Sequence, residues 1–401
     1  MSERSLHPIM KSFILKNQKA IYVIFAVIFS IIISCQSYLQ EHKLYANGEI
    51  QTRYNNYVIF KSSFEHLKEN QNLYAYYNDK HFDLYKYTPT FSVFMAPFYY
   101  LPDWIGLFLW NTLNILVLVY ALSRIQFLSD KMKLLAHLFL LFEMISSTQN
   151  SQSNVLIAGL MVLSFVFIRE GKIEKAALFL LLAAFIKPFA LVGFILFLFF
   201  PGKIKMFVWS VVWTSVLFLL PLLIISWPDL IAQYHNWQVM LNADHSASYG
   251  ISVMGWIQTW FGLSPDKLIV LFIGVVLLLI PLIATKLYSV SRFQILMLCS
   301  VLLWVILFNH KSESPTFIIA MAGMAIWYFT QQPSTVNTVL ICVAFLFTGL
   351  IATDVFPRTI RKEWAEPYVI KVVPCILIWL KILWDITVLW IEKNKKTNTD
   401  S

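Results

Sequence analysis

The sequence is poor in charge and in cysteine, and each shortage removes a class of protein. Charged residues make up 13% of the 401 positions and hydrophobic residues 58%, against about 25% charged and about 45–50% apolar in an ordinary soluble domain. A chain this apolar cannot hide its surface in a water-soluble core and requires lipid as solvent. The four cysteines, Cys35, Cys299, Cys342 and Cys375, lie in or at the ends of apolar runs, with no CxxC spacing and no histidine nearby. That pattern speaks against a disulfide framework and a metal site. The formal charge is +9, yet the lysines and arginines stand in short clusters between apolar runs, without the basic stripe and interleaved aromatics of a nucleic-acid surface. They fit orientation in a membrane, and no nucleic-acid partner is expected.

Long apolar runs recur along the whole chain, and about 18 such residues suffice for a helix to cross roughly 30 Å of hydrocarbon. The sequence therefore predicts an all-α, polytopic membrane protein, with residues 1–401 forming a single multi-spanning domain. Lys11, Lys16 and Lys19 precede the first run, 21–38, which places the N-terminus in the cytoplasm by the positive-inside rule. Ser34-Cys35 is a weak match to a lipoprotein cleavage site; the basic leader and the many later spans favour an uncleaved signal anchor.

Residues 39–88 then form an outer loop. Within it Tyr57, Phe60, Phe64, Leu67 and Leu73 are spaced for an amphipathic helix lying on the membrane. The stretch 91–101 is too short to cross and reads as an interfacial or partly inserted helix. Spans follow at 104–122, 134–147 and 155–168, with Arg124, Lys131, Lys133, Arg169, Lys172 and Lys175 marking cytoplasmic turns.

The apolar stretch 176–200 is bounded by basic turns at both ends, so it must enter and return. Lys187-Pro188 sits at its midpoint, where proline breaks a helix. The expectation is a half-membrane helical hairpin lifting Lys187 toward the outer side. Further spans at 206–225, 268–284, 295–308, 317–329, 336–351 and 372–390 bring the tally to about ten full crossings plus the hairpin. The C-terminal tail is basic and cytoplasmic.

With this threading the polar residues gather on the outer side: the first loop, the turn around Gln152, the hairpin tip, a second outer loop at 227–266, the turn 309–315 and the segment 354–367. An intramembrane lysine facing lipid costs roughly 2.5–3.5 kcal/mol, so Lys187 needs an anionic partner, such as a lipid phosphate, or must snorkel to the interface. His310, Lys311 and Glu313 offer phosphate donors beside a carboxylate, or simply a solvated turn. Glu143 near the outer end of its span is a site acid or a core residue bonded to hydroxyls. Asp83 and Lys86 are a catalytic pair or an ion-paired loop, and Lys381 and Asp385, at i, i+4, suit a structural pair. Trp237, Tyr249, Trp256 and Trp260 either stack on sugar rings or form an interfacial belt.

Taken in order, the basic leader, one span, the amphipathic loop helix, Asn72-Leu73-Tyr74, Tyr87-Thr88-Pro89, Gln152-Ser153-Asn154, Ile186-Lys187-Pro188 and a late His310 resemble glycosyltransferase family 87, over roughly residues 21–329. The resemblance implies the membrane-embedded GT-C architecture in a bacterial inner membrane. It also implies a reaction at the outer face: a mannose-like hexose passes from a polyprenyl-phosphate carrier to a glycan or glycolipid, with inversion and without a cofactor. It assigns the donor phosphate to Lys187 and His310; Lys311 and Lys86 are further candidates as phosphate-binding cations. Gln152 and Asn154, together with Asn56 and Tyr87, are candidates for sugar contacts.

One position departs from the family pattern. An aspartate that serves as base early in the first outer loop is matched here by Asn56, whose amide cannot take a proton. The base then falls to Asp83, Glu143 or Glu313, with Asp83 first because it shares that loop. Two other readings fit the same features: a flippase or transporter of a lipid-linked sugar, and a non-catalytic assembly protein on the same fold. Transporters show internal repeats and broken helices in both halves; one broken hairpin and long outer loops favour an enzyme.

Overall fold

The computed structural model describes residues 17–44, 50–243 and 248–399. Lys11, Lys16 and parts of both expected outer loops, 45–49 and 244–247, lie outside the described residues. The architecture is helical, apart from a two-residue antiparallel ladder in which Lys43 faces Gln51 and Leu44 faces Ile50.

Helix α1 spans Gln18–Leu39, α2 Asn55–Lys68, and α3 and α4 are the short Pro89–Phe94 and Ala96–Tyr99. Helices thus form in the first loop, over Asn55–Lys68 and short of Leu73, and in the 91–101 stretch. Next come α5 (Asp103–Ser123), α6 (Asp130–Gln149), α7 (Asn154–Arg169) and α8 (Ile173–Ile186). Pro188–Phe199 is a 3₁₀ arm, followed by α9 at Lys203–Leu219.

Among the described residues four helical stretches are long and apolar enough to cross a membrane: 20–39, 103–123, 203–223 and 370–395. Of the other expected spans, 134–147 lies in the 20-residue α6, which is not among those four, and the rest appear as shorter apolar helices of 10–17 residues. Several are extended or interrupted by non-α turns: 3₁₀ at Ile280–Ile283 and Ser314–Phe317, and a π-turn at Phe345–Leu350. Proline lies at the start of both 3₁₀ turns, where its missing N–H is harmless.

The hairpin at 176–200 is present. Gly193 in the 3₁₀ arm packs on Leu180 of α8, and Gly202 lies against Ile173; both pairs are nearly symmetric about Lys187, as a fold-back requires. Lys187 itself is extended (φ −134°, ψ 115°), the conformation imposed on a residue that precedes proline. The 14 residues of α8, at 1.5 Å each, reach about 21 Å, short of a full crossing.

Residues 227–266 carry two helices, α10 at Trp227–Ala243 and α11 at Val253–Phe261. Proline follows directly on the first residue of α10, a position helices tolerate, and Ser252 caps α11 through the backbone N–H groups of Met254 and Gly255. After them come α12 (Lys267–Leu279), α13 (Ser291–Leu307), α14 (Ile318–Phe329), α15 (Thr335–Ala344) and the long α16 (Val373–Thr399).

The core is built around helices buried on every side. All residues of α7 from Asn154 to Ile168 are buried, as are those of α13 from Phe293 to Leu307; helices apolar all round belong at the centre of a bundle. Helix α5 packs on α7, α7 on α8, and α13 on α14. Gly159 permits the first contact, because a Cβ there would lie 2.8 Å from the Leu118 backbone nitrogen. Small residues let membrane helices approach this closely. By contrast α9 and α12 expose rows of large apolar side chains, Phe207, Val208, Val211 and Leu268, Ile269, Phe272 among them. Such rows are the surface a bundle offers to lipid.

Candidate active site

The two ends of the bundle differ in chemistry. At one end Arg124 pairs with Glu170 and Arg169 bonds Gln294. At the other end converge the first loop, the turn 150–153, the hairpin tip and the turn 309–315.

The 150–153 turn is fixed by α5. Ser151 adopts φ 52°, and its carbonyl accepts the Trp110 indole N–H at 3.0 Å. Asn114 accepts the backbone N–H of Leu156 at 3.1 Å, satisfying one of the donors that the first turn of any helix leaves orphaned. This anchoring aims Gln152 and Asn154 at the hairpin tip. The Lys187 ammonium donates to Asn154 Oδ1 at 2.8 Å, Asn154 Nδ2 donates to Gln152 Oε1, and Gln152 Nε2 donates to Glu313 Oε2 at 3.1 Å.

Ammonium is donor-only and carboxylate acceptor-only, so the two ends dictate the orientation of both amides. The result is a directional chain from cation to anion in which each hydrogen bond polarises the next. Lys187 and Glu313 also interact electrostatically.

Tyr87 closes one side. Its ring lies 5.8 Å from the Lys187 ammonium and is held edge-on by Phe60 at 4.8 Å. Its hydroxyl lies beside Ser153; burial pushes its pKa well up, with the Glu313 and Asp83 carboxylates adding to the rise. The phenol therefore stays protonated and able to donate. Thr88 bonds the Phe185 carbonyl, tying the Tyr87-Thr88-Pro89 motif to the hairpin tip.

Asp83 is half-exposed, with φ 73°, a left-handed conformation uncommon for a residue other than glycine. Asn55 enforces it from the neighbouring position: its side chain bonds both the carbonyl and the N–H of Phe82, at 2.7 and 3.0 Å. Lys86 Nζ sits 3.2 Å from Asp83 Oδ2, and the His81 ring bonds the Asp83 carbonyl at 3.0 Å. Asn56, at the start of α2, donates to the Asn150 carbonyl at 2.9 Å, one flank of the same turn. Gln233 of α10 accepts the Leu73 N–H and donates to the Gln71 carbonyl. The Asn72-Leu73-Tyr74 motif is thereby clamped as scaffold, and Tyr74 in turn bonds the Tyr87 carbonyl.

His310 and Lys311 share the turn of Glu313. The left-handed Gly250 (φ 56°) packs on that turn, and a Cβ there would lie 2.5 Å from the His310 carbonyl oxygen. The Ile251 N–H bonds the Ser312 carbonyl, which seats the second loop over it. Of the loop aromatics, Trp237 bonds the Lys86 carbonyl at 3.4 Å and Trp260 the Tyr368 carbonyl at 2.7 Å.

Glu143 has a partner that sequence spacing could not show. Lys371 Nζ lies 2.6 Å from Glu143 Oε1, with the two side chains 5% and 1% exposed. The same ammonium bonds the Ser314 hydroxyl and carbonyl at 2.8 and 3.2 Å. This buried pair holds down the turn that carries Glu313. Above it the hydroxyls of Ser147 and Ser151 and the second Glu143 oxygen are buried without a protein partner among the described residues. Lys381 and Asp385 pair on one face of α16, and Trp327 bonds Asp385.

These features define a helical membrane protein with a cationic, amide-lined site at one end of its bundle. The chain belongs to glycosyltransferase family 87, whose sequence model matches residues 85–353, and is thus a membrane glycosyltransferase. The matched segment includes Tyr87, Gln152, Asn154, Lys187 and His310; Asn56 and Asp83 precede it. A solved structure, ArnT from Cupriavidus metallidurans bound to undecaprenyl phosphate, is similar at 15% identity, with 92% of this chain and 77% of that one covered and a TM-score of 0.39. No curated protein matches the chain.

Proposed function

We propose that this protein transfers a mannose-like hexose, with inversion, from a polyprenyl-phosphate carrier to a hydroxyl of a glycan or glycolipid. The active site faces the outer side of a bacterial inner membrane, both termini are cytoplasmic, and no cofactor takes part. The directional chain from Lys187 through Asn154 and Gln152 to Glu313 carries this reading. It keeps a buried cation charged and oriented until an anion arrives from the membrane.

The donor phosphate takes Lys187, with His310, Lys311 and Lys86 flanking. Gln152, Asn154, Asn56 and the Tyr87 phenol contact sugar hydroxyls. The acceptor oxygen attacks the anomeric carbon, its proton passes to Asp83, and the bond to the phosphate oxygen breaks as Lys187 takes up the growing negative charge. Cations positioned in this way commonly lower the barrier more than any other single effect, and a general base adds about 10²–10⁴-fold. Asp83 suits the base because it is half-exposed and held in a strained backbone, a frequent mark of functional positions. Glu313 caps its own 3₁₀ turn and balances Lys187, while Glu143 is committed to Lys371.

The test is transfer of labelled sugar by the purified protein in proteoliposomes supplied with polyprenyl-phosphate sugars and a lipid extract of the host, with Asp83→Asn and Glu313→Gln alongside. Turnover lost chiefly in Asp83→Asn supports the assignment, and loss only in Glu313→Gln moves the base there. Asn56 favours one second reading, a non-catalytic assembly protein. Absence of product across a broad donor and acceptor panel would select it.

A further inference from the structure

A second polar concavity adjoins the site and takes no part in the chemistry above. The ends of α1 and α6 and the start of the first loop enclose a cleft of about 260 Å³, lined by Gln36, Gln40, Thr52, Arg53, Gln149 and Asn150 among others. Its walls are tied together: Gln149 Nε2 donates to Gln36 Oε1 at 2.9 Å, and Asn56 holds the Asn150 carbonyl.

The lining selects its ligand by chemistry. It contains no carboxylate, so it is not built for a cation, and it is too polar for an acyl chain. Side-chain amides donate and accept in pairs and hydroxyls do both, which is what the neighbouring hydroxyls of a sugar ring require. The volume falls just below the roughly 300–1,000 Å³ of ordinary small-molecule sites, the size of a single sugar unit. Thr52 Oγ1 is buried with no protein partner among the described residues, and an unmet buried hydroxyl is destabilising unless water or a ligand meets it.

Position points the same way. One turn serves both places, offering Gln149 and Asn150 to the cleft and Asn154, bonded by Gln152, to the lysine. The Cα atoms of residues two apart in the chain lie at most about 7 Å apart, so the cleft and the lysine site adjoin through this turn.

We propose that this cleft is the acceptor subsite, binding one sugar unit of the acceptor through its amides, with Arg53 favouring a sugar that bears a carboxylate. The proposal rests on the transferase reading but is tested apart from it. The experiment is saturation-transfer NMR of methyl α-mannoside and methyl glucuronide with the full chain in lipid nanodiscs. Saturation of the glucuronide's ring protons should fall at least tenfold in Gln36→Ala/Gln149→Ala and in Arg53→Ala, while the mannoside, which the donor site also takes, should lose in the double variant only the share that the cleft contributes.

Equal saturation of the glucuronide in the wild type and the double variant, or its loss only in Gln152→Ala, would overturn the proposal. Both glutamines are exposed or half-exposed, so the double variant should fold, and its thermal transition provides the check. If labelled-sugar transfer fails while the saturation pattern holds, the transferase reading falls and the sugar subsite stands. If transfer proceeds and the pattern ignores the double variant, only the subsite falls.

Discussion

Substitution of Lys371 by methionine isolates what holds the Glu313 turn in place. The ammonium bonds Glu143 at 2.6 Å and Ser314 at 2.8 and 3.2 Å, and the variant leaves a buried carboxylate and two part-buried oxygens unmet. Breaking a buried pair from one side costs about 3–5 kcal/mol, and the Ser314 contacts overlap with that cost because they share one ammonium. Against a typical stability of about 5–15 kcal/mol, this is a large fraction.

Lys371→Met/Glu143→Leu removes both charges, and such replacement is commonly neutral or stabilising by about 1–4 kcal/mol. The unmet Ser314 oxygens return about 1–3 kcal/mol of cost, so the double variant should lie near the wild type. Reversible unfolding in mixed micelles, followed by tryptophan fluorescence, measures the cycle. A coupling of at least about 2 kcal/mol is expected from the one-sided cost of a broken buried pair; singles that add to give the double would show that the pair carries no special stability. Transfer activity should fall in Lys371→Met even where the protein remains folded, because Ser314 adjoins Glu313.

Asp83→Asn should lower turnover by about 10²–10⁴-fold with little change in donor affinity, and an unchanged rate sends the search for a base to Glu313. Asn55→Ala removes both bonds to Phe82 and should reduce turnover with Asp83 still present; full activity would mean the loop holds its shape without the clamp. His66 is stacked on Tyr77 at 3.6 Å, and burial, aided by Lys80, lowers its pKa to about 4; burial also lowers His81. Unfolded histidine titrates near 6.5, so the neutral rings stabilise the loop fully above about pH 6.5 and progressively less as pH falls toward about 4. Hydrogen exchange across residues 66–82 should accelerate over that interval in the wild type and respond less in His66→Phe.

Much of the helical order was legible because lipid imposes strong rules on sequence. Basic turns at both ends of 176–200 with Lys187-Pro188 between them dictate a fold-back, and Leu180 against Gly193 realises it. The helices within 227–266 were not legible because α10 mixes Asp229, Gln233, His235 and Asn242 with apolar residues; Gln233 clamps another loop, and no hydropathy pattern shows that. Lys371 was invisible for a different reason: Glu143 is 228 positions away, and an isolated lysine at the edge of a span reads as a topology signal. The left-handed backbone of Asp83 likewise comes from Asn55, 27 positions upstream of the Phe82 it holds. The Lys187, Gln152 and Asn154 cluster was recognisable residue by residue, while its direction, fixed by Glu313 at the far end, required the folded chain.

Equilibrium binding of a polyprenyl-phosphate hexose to the reconstituted protein tests the central claim most directly. A hydrogen bond to a charged group contributes about 1.5–3 kcal/mol, so Lys187→Ala should weaken binding by roughly 10- to 150-fold while the protein stays inserted and folded, and Lys187→Arg should recover part of the affinity. Undiminished binding by a folded Lys187→Ala protein would contradict the account, because the lysine and its amide chain would then have no anion to hold.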